Sequence, residues 1–433
     1  RIKVFSNSRN QTQGKKPKLK EASDIKTPDK FWDHKKEAIE IFLKKEKGIL
    51  EMATGTGKTS TALEIARQLI LTKKINKVVI CPSIKKDLNS QWYEEVMQWK
   101  RKFELDKLIT TRVYRHFSEH NDSQEFVSRE GVGAALVIVQ RDAKKLEFIL
   151  SNVDIEKTLV IQDEVHGFAM PSVQKIQGLH KSFKYTLGLS ATPDRKFDEE
   201  GTKFILDEIG EVVFEFPIEA AIKKGILCPF KYYPRKVALS DDDKIDIKAA
   251  YSRYEAKKQE NPNFPKESLY IDISKVYGNA ENKKFAFKDF LEENPELIKN
   301  TIIFCQSKAQ AKTLGEFIMK YTSRFGYYFD KGSDRNQLER IGKDLDCLIS
   351  CHILSEGIDI PTLNNIFLMA SPSAKLETIQ RIGRCIRTVG SNPNKVANVV
   401  DFILYRDISF NDCIESNQER LDWLQEVSKT RKE

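Results

Sequence analysis

The sequence predicts an α/β protein of two lobes, each a parallel sheet flanked by helices, with a helical insertion between them. Three observations carry this. From residue 31 to about 225, short apolar runs alternate with amphipathic stretches, the pattern of a parallel sheet wound with helices. Residues 231–295 break that pattern: they are charged, rich in Lys, Asp, Glu and Tyr, and helical in propensity, with a Pro-containing break at Asn261–Pro265. The alternation then restarts at Thr301. At 433 residues the chain also exceeds one typical core.

In the first lobe the strands expected are Lys77–Cys81, Ala135–Val139, Thr158–Gln162 and Tyr185–Ser190, with helices over Ser60–Leu71 and Leu88–Arg101. In the second they are Thr301–Cys305, Cys347–Ser350, Asn365–Ala370 and Val396–Phe402. The boundaries expected are a basic tail over 1–30, lobe one over 31–228, the insertion over 229–298, lobe two over 299–410 and a C-terminal helix over 411–433. The tail carries Lys15, Lys16, Lys18 and Lys20 beside Gly14 and Pro17, and reads as a solvated linker more readily than as a nucleic-acid contact. The chain opens on Arg1 rather than Met, which raises the expectation of a further domain upstream.

A formal charge of +9 points weakly to a polyanionic partner, since over this length it also fits a solvated surface. The seven cysteines (Cys81, Cys228, Cys305, Cys347, Cys351, Cys385, Cys413) form no C-x-x-C pair and sit mostly in apolar runs, as small core residues do. No signal peptide and no apolar run near 18 residues is present, so no membrane is expected as a partner and the cytoplasm of a prokaryotic or virus-infected cell is the compartment expected.

The most informative stretch is Met52-Ala53-Thr54-Gly55-Thr56-Gly57-Lys58-Thr59. A short apolar run precedes it and a helical pattern follows. Glycines let backbone N–H groups turn toward phosphates, and a helix N-terminus adds partial positive charge. Lys58 suits the β- and γ-phosphates, and the Thr59 hydroxyl suits magnesium. The bland alternative is a Gly/Thr-rich turn before an ordinary helix. Downstream, the apolar run ending in Gln162-Asp163-Glu164-Val165-His166 places two adjacent carboxylates at a strand's C-terminal end, where open α/β sheets bind ligands. Asp163 suits magnesium, and Glu164 suits orienting and deprotonating an attacking water. Leu189-Ser190-Ala191-Thr192-Pro193 ends a further strand with small hydroxyl residues. Gln380-Arg381-Ile382-Gly383-Arg384-Cys385-Ile386-Arg387 spaces its arginines by three, which puts them near one helical face. Such a face is an exposed basic helix or a source of arginine fingers.

With Ser355-Glu356-Gly357-Ile358-Asp359-Ile360-Pro361, these segments stand in the order found in superfamily 2 helicases and translocases. The chain resembles that superfamily from about Phe31 to Phe402. It looks closest to the group holding XPB-like repair helicases, UvrB and the motors of type I and type III restriction enzymes. The resemblance implies two RecA-like lobes with ATP and magnesium in the cleft between them. It implies that Thr54, Gly55, Thr56, Gly57, Lys58 and Thr59 bind nucleotide, that Gly357 and Asp359 touch it from lobe two, and that Thr59 and Asp163 hold the metal. Glu164 is then the base, Arg384 and Arg387 the fingers, and His166 and Gln380 relays between nucleotide and lobe motion. Ser190 and Thr192 couple hydrolysis to movement. Pro82-Ser83, Gln91-Trp92 and Gln306-Ser307 look like the family's backbone-contacting nucleic-acid motifs.

Two departures stand out. Many relatives carry a Gln upstream of the phosphate loop that reads adenine, and Lys35 occupies the corresponding place in Trp32–Ile39, leaving His34 or a backbone carbonyl to supply that reading. Met52 replaces a small or polar first residue of the loop. The function expected is ATP-driven translocation or unwinding of nucleic acid, DNA favoured over RNA, in repair, restriction or phage defence, with a fused or associated nuclease as partner. The alternative is a nucleotide-gated DNA-binding or sensor subunit of a larger complex.

Overall fold

The computed structural model describes residues 33–131, 133–192, 198–329, 336–351, 362–370, 378, 381–383, 385–387, 394–405 and 415–432. Lobe one holds β1 (Lys47–Met52), β2 (Lys77–Cys81), β3 (Thr111–His116), β4 (Ala134–Val139), β5 (Thr158–Gln162), β6 (Tyr185–Ser190) and β7 (Val212–Phe216). They form one sheet in the order β3-β4-β2-β5-β6-β1-β7. Lobe two holds β8 (Phe230–Val237), β9 (Thr301–Cys305), β10 (Phe325–Tyr328), β11 (Cys347–Cys351), β12 (Asn365–Leu368) and β13 (Ala397–Leu404), in the order β10-β11-β9-β12-β13-β8. Every strand pairing within the two sheets is parallel. All eight expected strands are present within two residues of their expected ends.

Central strands such as β4 and β5 are buried along their whole length. Helices cover both faces of a parallel sheet, so such strands read as unbroken apolar runs. The strands that the sequence did not announce are mostly near edges. In β3, Thr-Arg-Val-Tyr-Arg-His mixes buried and exposed positions, which hides it from a search for apolar runs.

The segment expected to be a helical insertion divides into two parts. Residues 230–237 are not helical; they form β8, the edge strand of lobe two, paired with β13. The expectation fails there because a half-exposed edge strand takes the charged and aromatic residues of Phe-Lys-Tyr-Tyr-Pro-Arg-Lys-Val, and an edge tolerates the missing N–H of Pro234. The remainder is helical as expected: Asp241–Glu260, Glu267–Asn279 and Glu281–Glu293, with the break at Asn261–Pro265 falling between the first two. Ser240 and Asp243 close the first helix with reciprocal side-chain-to-backbone bonds.

The third of these helices belongs to the lobe-two core. Phe287 and Phe290 are buried against Phe367 and Phe402, with ring centroids 5.5–6.5 Å apart. The C-terminal helix, Glu415–Val427, is also fastened to lobe two. Arg420 grips Asp401 of β13 with two buried hydrogen bonds of 2.9 and 3.2 Å, and the Tyr232 hydroxyl donates to the same carboxylate. One apolar cluster runs on between the lobes through Leu227, Cys228, Ile382, Cys385 and Ile386.

Candidate nucleotide site and nucleic-acid face

The sheet order of lobe one brings the motifs together. β6 lies between β1 and β5, so Ser190 stands level with Glu51 at the end of β1, and Gly188 with Gln162 at the end of β5. The phosphate loop and the carboxylate pair therefore open on one side of the sheet, with Ser190 between them. Ser190 is buried, and its hydroxyl accepts from the Thr192 N–H at 3.2 Å.

The loop from β1 leads into a helix α2 (Lys58–Leu71), which follows α1 (Asp33–Lys45) in the chain. Its turn depends on two glycines in the left-handed region, Gly55 at φ 88 and Gly57 at φ 93. The Lys58 ammonium donates to the Met52 carbonyl at 3.0 Å, and the Thr56 hydroxyl to the Ala53 carbonyl at 2.7 Å, so the loop is folded on itself. Met52 is wholly buried as the last residue of β1, which is why a large apolar side chain is accommodated there.

His34 and Lys35 of α1 both reach this loop. The His34 ring stacks on Phe216 with centroids 4.2 Å apart, and its Nε2 bonds the Thr56 carbonyl at 2.9 Å. Burial lowers its pKa to about 4, so the ring is neutral. The Lys35 ammonium donates to the Ser60 hydroxyl at 2.9 Å, and a Cβ on Gly57 would collide with the Lys35 side chain. Burial lowers the Lys35 pKa to about 8. Lys35 therefore lies along the first turn of α2, against Gly57 and Ser60.

Asp163 is 6% exposed, and both of its carboxylate oxygens are engaged. One accepts the Glu164 N–H at 2.9 Å, the other the Trp92 indole N–H at 2.8 Å. Burial, reinforced by the adjacent Glu164 charge, raises its pKa to about 6. Trp92 itself is 1% exposed on α3 (Lys86–Lys102), so it faces the carboxylate pair and offers no ring to a nucleic-acid base. Glu164 holds φ 43, a left-handed backbone that a non-glycine residue adopts at a cost. The His166 imidazole Nδ1 lies 3.5 Å from the Glu164 carboxylate.

Two further residues enter that sequence reading did not single out. Glu95, one turn beyond Trp92, accepts from Gln91 at 2.8 Å and meets the Thr59 hydroxyl; burial raises its pKa, and Asp163 and Arg387 lie within its electrostatic reach. Arg141, 5% exposed, donates to the carbonyls of Pro82, Asp163 and Glu164. Neither lies in a recognisable motif. Their roles follow from the adjacency of β4, β2 and β5, which spacing along the chain does not reveal.

Lobe two meets the loop directly. Leu227 and Arg387 form an antiparallel bridge, and the Cys228 N–H donates to the Ile386 carbonyl at 2.7 Å. A Cβ on Gly55 would lie 3.2 Å from the Arg387 side chain, and one on Gly383 2.7 Å from Thr54. Arg381 and Arg387 do not share one face. Arg387 borders the phosphate loop, whereas Arg381 is buried in lobe two, over the Phe304 ring at 4.6 Å and bonded to the Ala370 carbonyl at 2.5 Å. Arg384, Gln380, Gly357 and Asp359 lie outside the described residues.

The nucleic-acid candidates sit at the ends of β2 and β9. Ser83 is buried, its carbonyl accepting from Asn89 and from the Arg141 N–H. Ser307 caps the helix Lys308–Ile318 and donates to Asn279 at 2.6 Å, while Gln306 packs under Gly278. The second insertion helix thus ends against the lobe-two motif. Gln91 is turned toward Glu95.

Residues 29–195 match the type III restriction enzyme res-subunit family, and residues 282–389 match the helicase conserved C-terminal domain. A DNA 3'-5' translocase of Sulfurisphaera tokodaii is 23% identical over 84% of this chain and 80% of its own length. A helicase-like protein of the Sulfolobus islandicus filamentous virus is 23% identical over 85% of this chain, which spans 62% of that relative's length. The fold is also that of a solved structure of an ATP-dependent type ISP restriction-modification enzyme bound to DNA, with a TM-score of 0.60 at 17% identity, covering 94% of this chain and 30% of the other. With one family match falling on each lobe, the chain is similar to the superfamily 2 ATP-dependent helicases and translocases, and within them to the XPB-like and type I and III restriction-enzyme motors.

Proposed function

We propose that this chain is an ATP- and magnesium-dependent motor that moves along or opens DNA. The observation that carries it is the meeting of the two lobes at the nucleotide cradle: Arg387 of lobe two beside Gly55 of lobe one, with Asp163 and Glu164 across the same cleft. The cradle suits a nucleotide. Its glycines hold positive φ, and the buried Thr54 hydroxyl finds no partner among the described residues. Among the described residues no group of three His, Cys, Asp or Glu side chains is placed to hold a metal by itself. The Thr59 hydroxyl and the Asp163 carboxylate are hard oxygen donors, which suits magnesium sharing its other ligands with phosphates and water.

Magnesium supplies charge neutralisation at the phosphates when bound. Lys58 leaves the Met52 carbonyl to meet phosphate, Glu164 orients water and takes its proton, and Arg387 and Arg384 stabilise negative charge growing in the transition state. Because the finger and the phosphate loop belong to different lobes, turnover depends on how the lobes close. Strand ends at Pro82–Ser83 and Gln306–Ser307 offer one backbone contact from each lobe, so a bound strand favours closure. In a relative bound to DNA the same fold is present. A pathway in restriction extends this reading from the restriction enzymes to which the chain is similar, and repair, defence and a nuclease partner are further parts of the proposal.

The test is ATP turnover with single-stranded DNA, duplex DNA, forked DNA and RNA, each at saturation. Stimulation of tenfold or more by one of the DNA forms is expected. Turnover equal to the basal rate with every form would defeat the motor reading.

A further inference from the structure

We propose that Arg141 is a positioning residue that ties the strand end Pro82–Ser83 to the hydrolytic pair, so that engagement of a nucleic-acid backbone there sets the geometry of Glu164. The inference rests on the motor reading above and deepens it.

In lobe one β2 lies between β4 and β5. Arg141 follows β4, and its side chain crosses the end of β2 to reach the end of β5. Its Nη2 donates to the Pro82 carbonyl at 3.0 Å and to the Asp163 carbonyl, and its Nη1 to the Glu164 carbonyl at 3.2 Å. Its own backbone N–H donates to the Ser83 carbonyl at 3.0 Å. A guanidinium holds its donors in one rigid plane, so these carbonyls cannot slide past one another without breaking charge-assisted bonds. Gly167 supplies the room: a Cβ there would stand 2.7 Å from Nη1.

The geometry also explains how Glu164 keeps its left-handed backbone. Its N–H is held by the Asp163 carboxylate, and its carbonyl by Arg141 and by the Gly167 N–H at 3.0 Å. A strained conformation persists only where its surroundings over-determine it, and such residues cluster where function needs them.

A second route closes the ring. On α3, Asn89 donates to the Ser83 carbonyl at 3.2 Å, and Trp92 holds the Asp163 carboxylate. Movement of Pro82–Ser83 is therefore felt at Asp163 through α3 and at Glu164 through Arg141. Pro82 and Ser83 are both buried, so the load enters through Ile84 and Lys85, the exposed residues that follow them.

The variants are Arg141→Met, which fills similar space without donors, and Arg141→Lys, which keeps the charge but reaches fewer carbonyls. Turnover is measured with and without saturating DNA, alongside affinity for a fluorescent ATP analogue, DNA affinity and melting temperature. Hydrogen exchange of the peptide 159–168 is followed on DNA addition without nucleotide. The expected result is a fall of at least fivefold in the stimulation ratio for Arg141→Met and a smaller fall for Arg141→Lys, with nucleotide and DNA affinities within about twofold of the parent. DNA slows exchange at 164–167 in the parent and not in Arg141→Met. If Arg141→Met does not fold, the same comparisons are read on Arg141→Lys. Basal and stimulated rates falling together, at an unchanged ratio, make Arg141 a structural brace and overturn the proposal. A stimulated parent with an equally stimulated variant overturns the coupling alone. A parent that no nucleic acid stimulates overturns the motor reading and the coupling with it.

Discussion

The carboxylates Asp163 and Glu164 are neighbours in sequence but sit in different environments. Asp163 is buried with both oxygens bonded to Trp92 and the Glu164 N–H, whereas the Glu164 carboxylate lies beside the His166 imidazole. In the proposed motor this difference separates a metal-facing role from a proton-accepting one. Glu164→Gln should therefore keep ATP affinity and lose turnover by two or more orders of magnitude, since it keeps the shape and removes the base. Lys58→Ala should weaken nucleotide binding itself. Arg387→Ala should lower kcat by about a hundredfold or more with little change in ATP affinity, because a finger acts on charge that develops in the transition state. Titration with a fluorescent nucleotide beside steady-state turnover separates the three. Equal loss of affinity in the Lys58 and Glu164 variants would contradict the roles.

At the scale of elements, the insertion is two things. Its first two helices expose Tyr251 and Tyr270 but bury Ile247, Tyr254, Leu269 and Ile273 in the lobe-two cluster, and its third lays Phe287 and Phe290 against the sheet. Removing residues 229–298 as one block would strip Phe287 and Phe290 from Phe367 and Phe402 and take away β8. Phe290→Ala should cost about 3 kcal/mol of lobe-two stability, the range for emptying a buried aromatic site. Tyr251→Ala should change stability by less than about 0.5 kcal/mol. Denaturant unfolding of the two variants checks this, and a tolerant Phe290 would return the third helix to the status of a spacer.

For the whole molecule, one buried lysine links insertion, sheet and C-terminal helix. Lys283 donates to the Met369 carbonyl at 2.7 Å, close to the Arg420–Asp401 pair. Burial, with the Arg420 charge, lowers its pKa from 10.5 to about 7. Between those values the unfolded chain binds a proton that the folded chain does not, so this group makes stability rise as pH rises from about 7 toward 10.5. The slope is at most about 1.4 kcal/mol per pH unit. Lys283→Met removes the contribution, so the stability difference between parent and variant should shift in the parent's favour between pH 7 and pH 9. A difference that does not move with pH would show that Lys283 stays charged in the fold.

What the sequence determined by itself was the local chemistry: the Gly-Lys-Thr turn, the Asp-Glu pair at a strand end, and the buried central strands, each written in contiguous residues whose spacing matches a backbone period. Lobe two was legible for the same reason, through β9, β11, β12 and β13. Only the tertiary structure decided which side chains face those motifs. Trp92, in a segment resembling a nucleic-acid motif, turns its indole to Asp163 because α3 packs over the end of β5. Lys35 reaches the first turn of α2 because α1 runs beside it, and Arg141 crosses β2 because the sheet order sets β4 next to it. The strand β8 escaped notice because its sheet partner, β13, lies more than 150 residues on. Sequence spacing specifies elements; contacts between elements distant in the chain depend on packing, and those contacts place Arg387 of lobe two against Gly55 of lobe one.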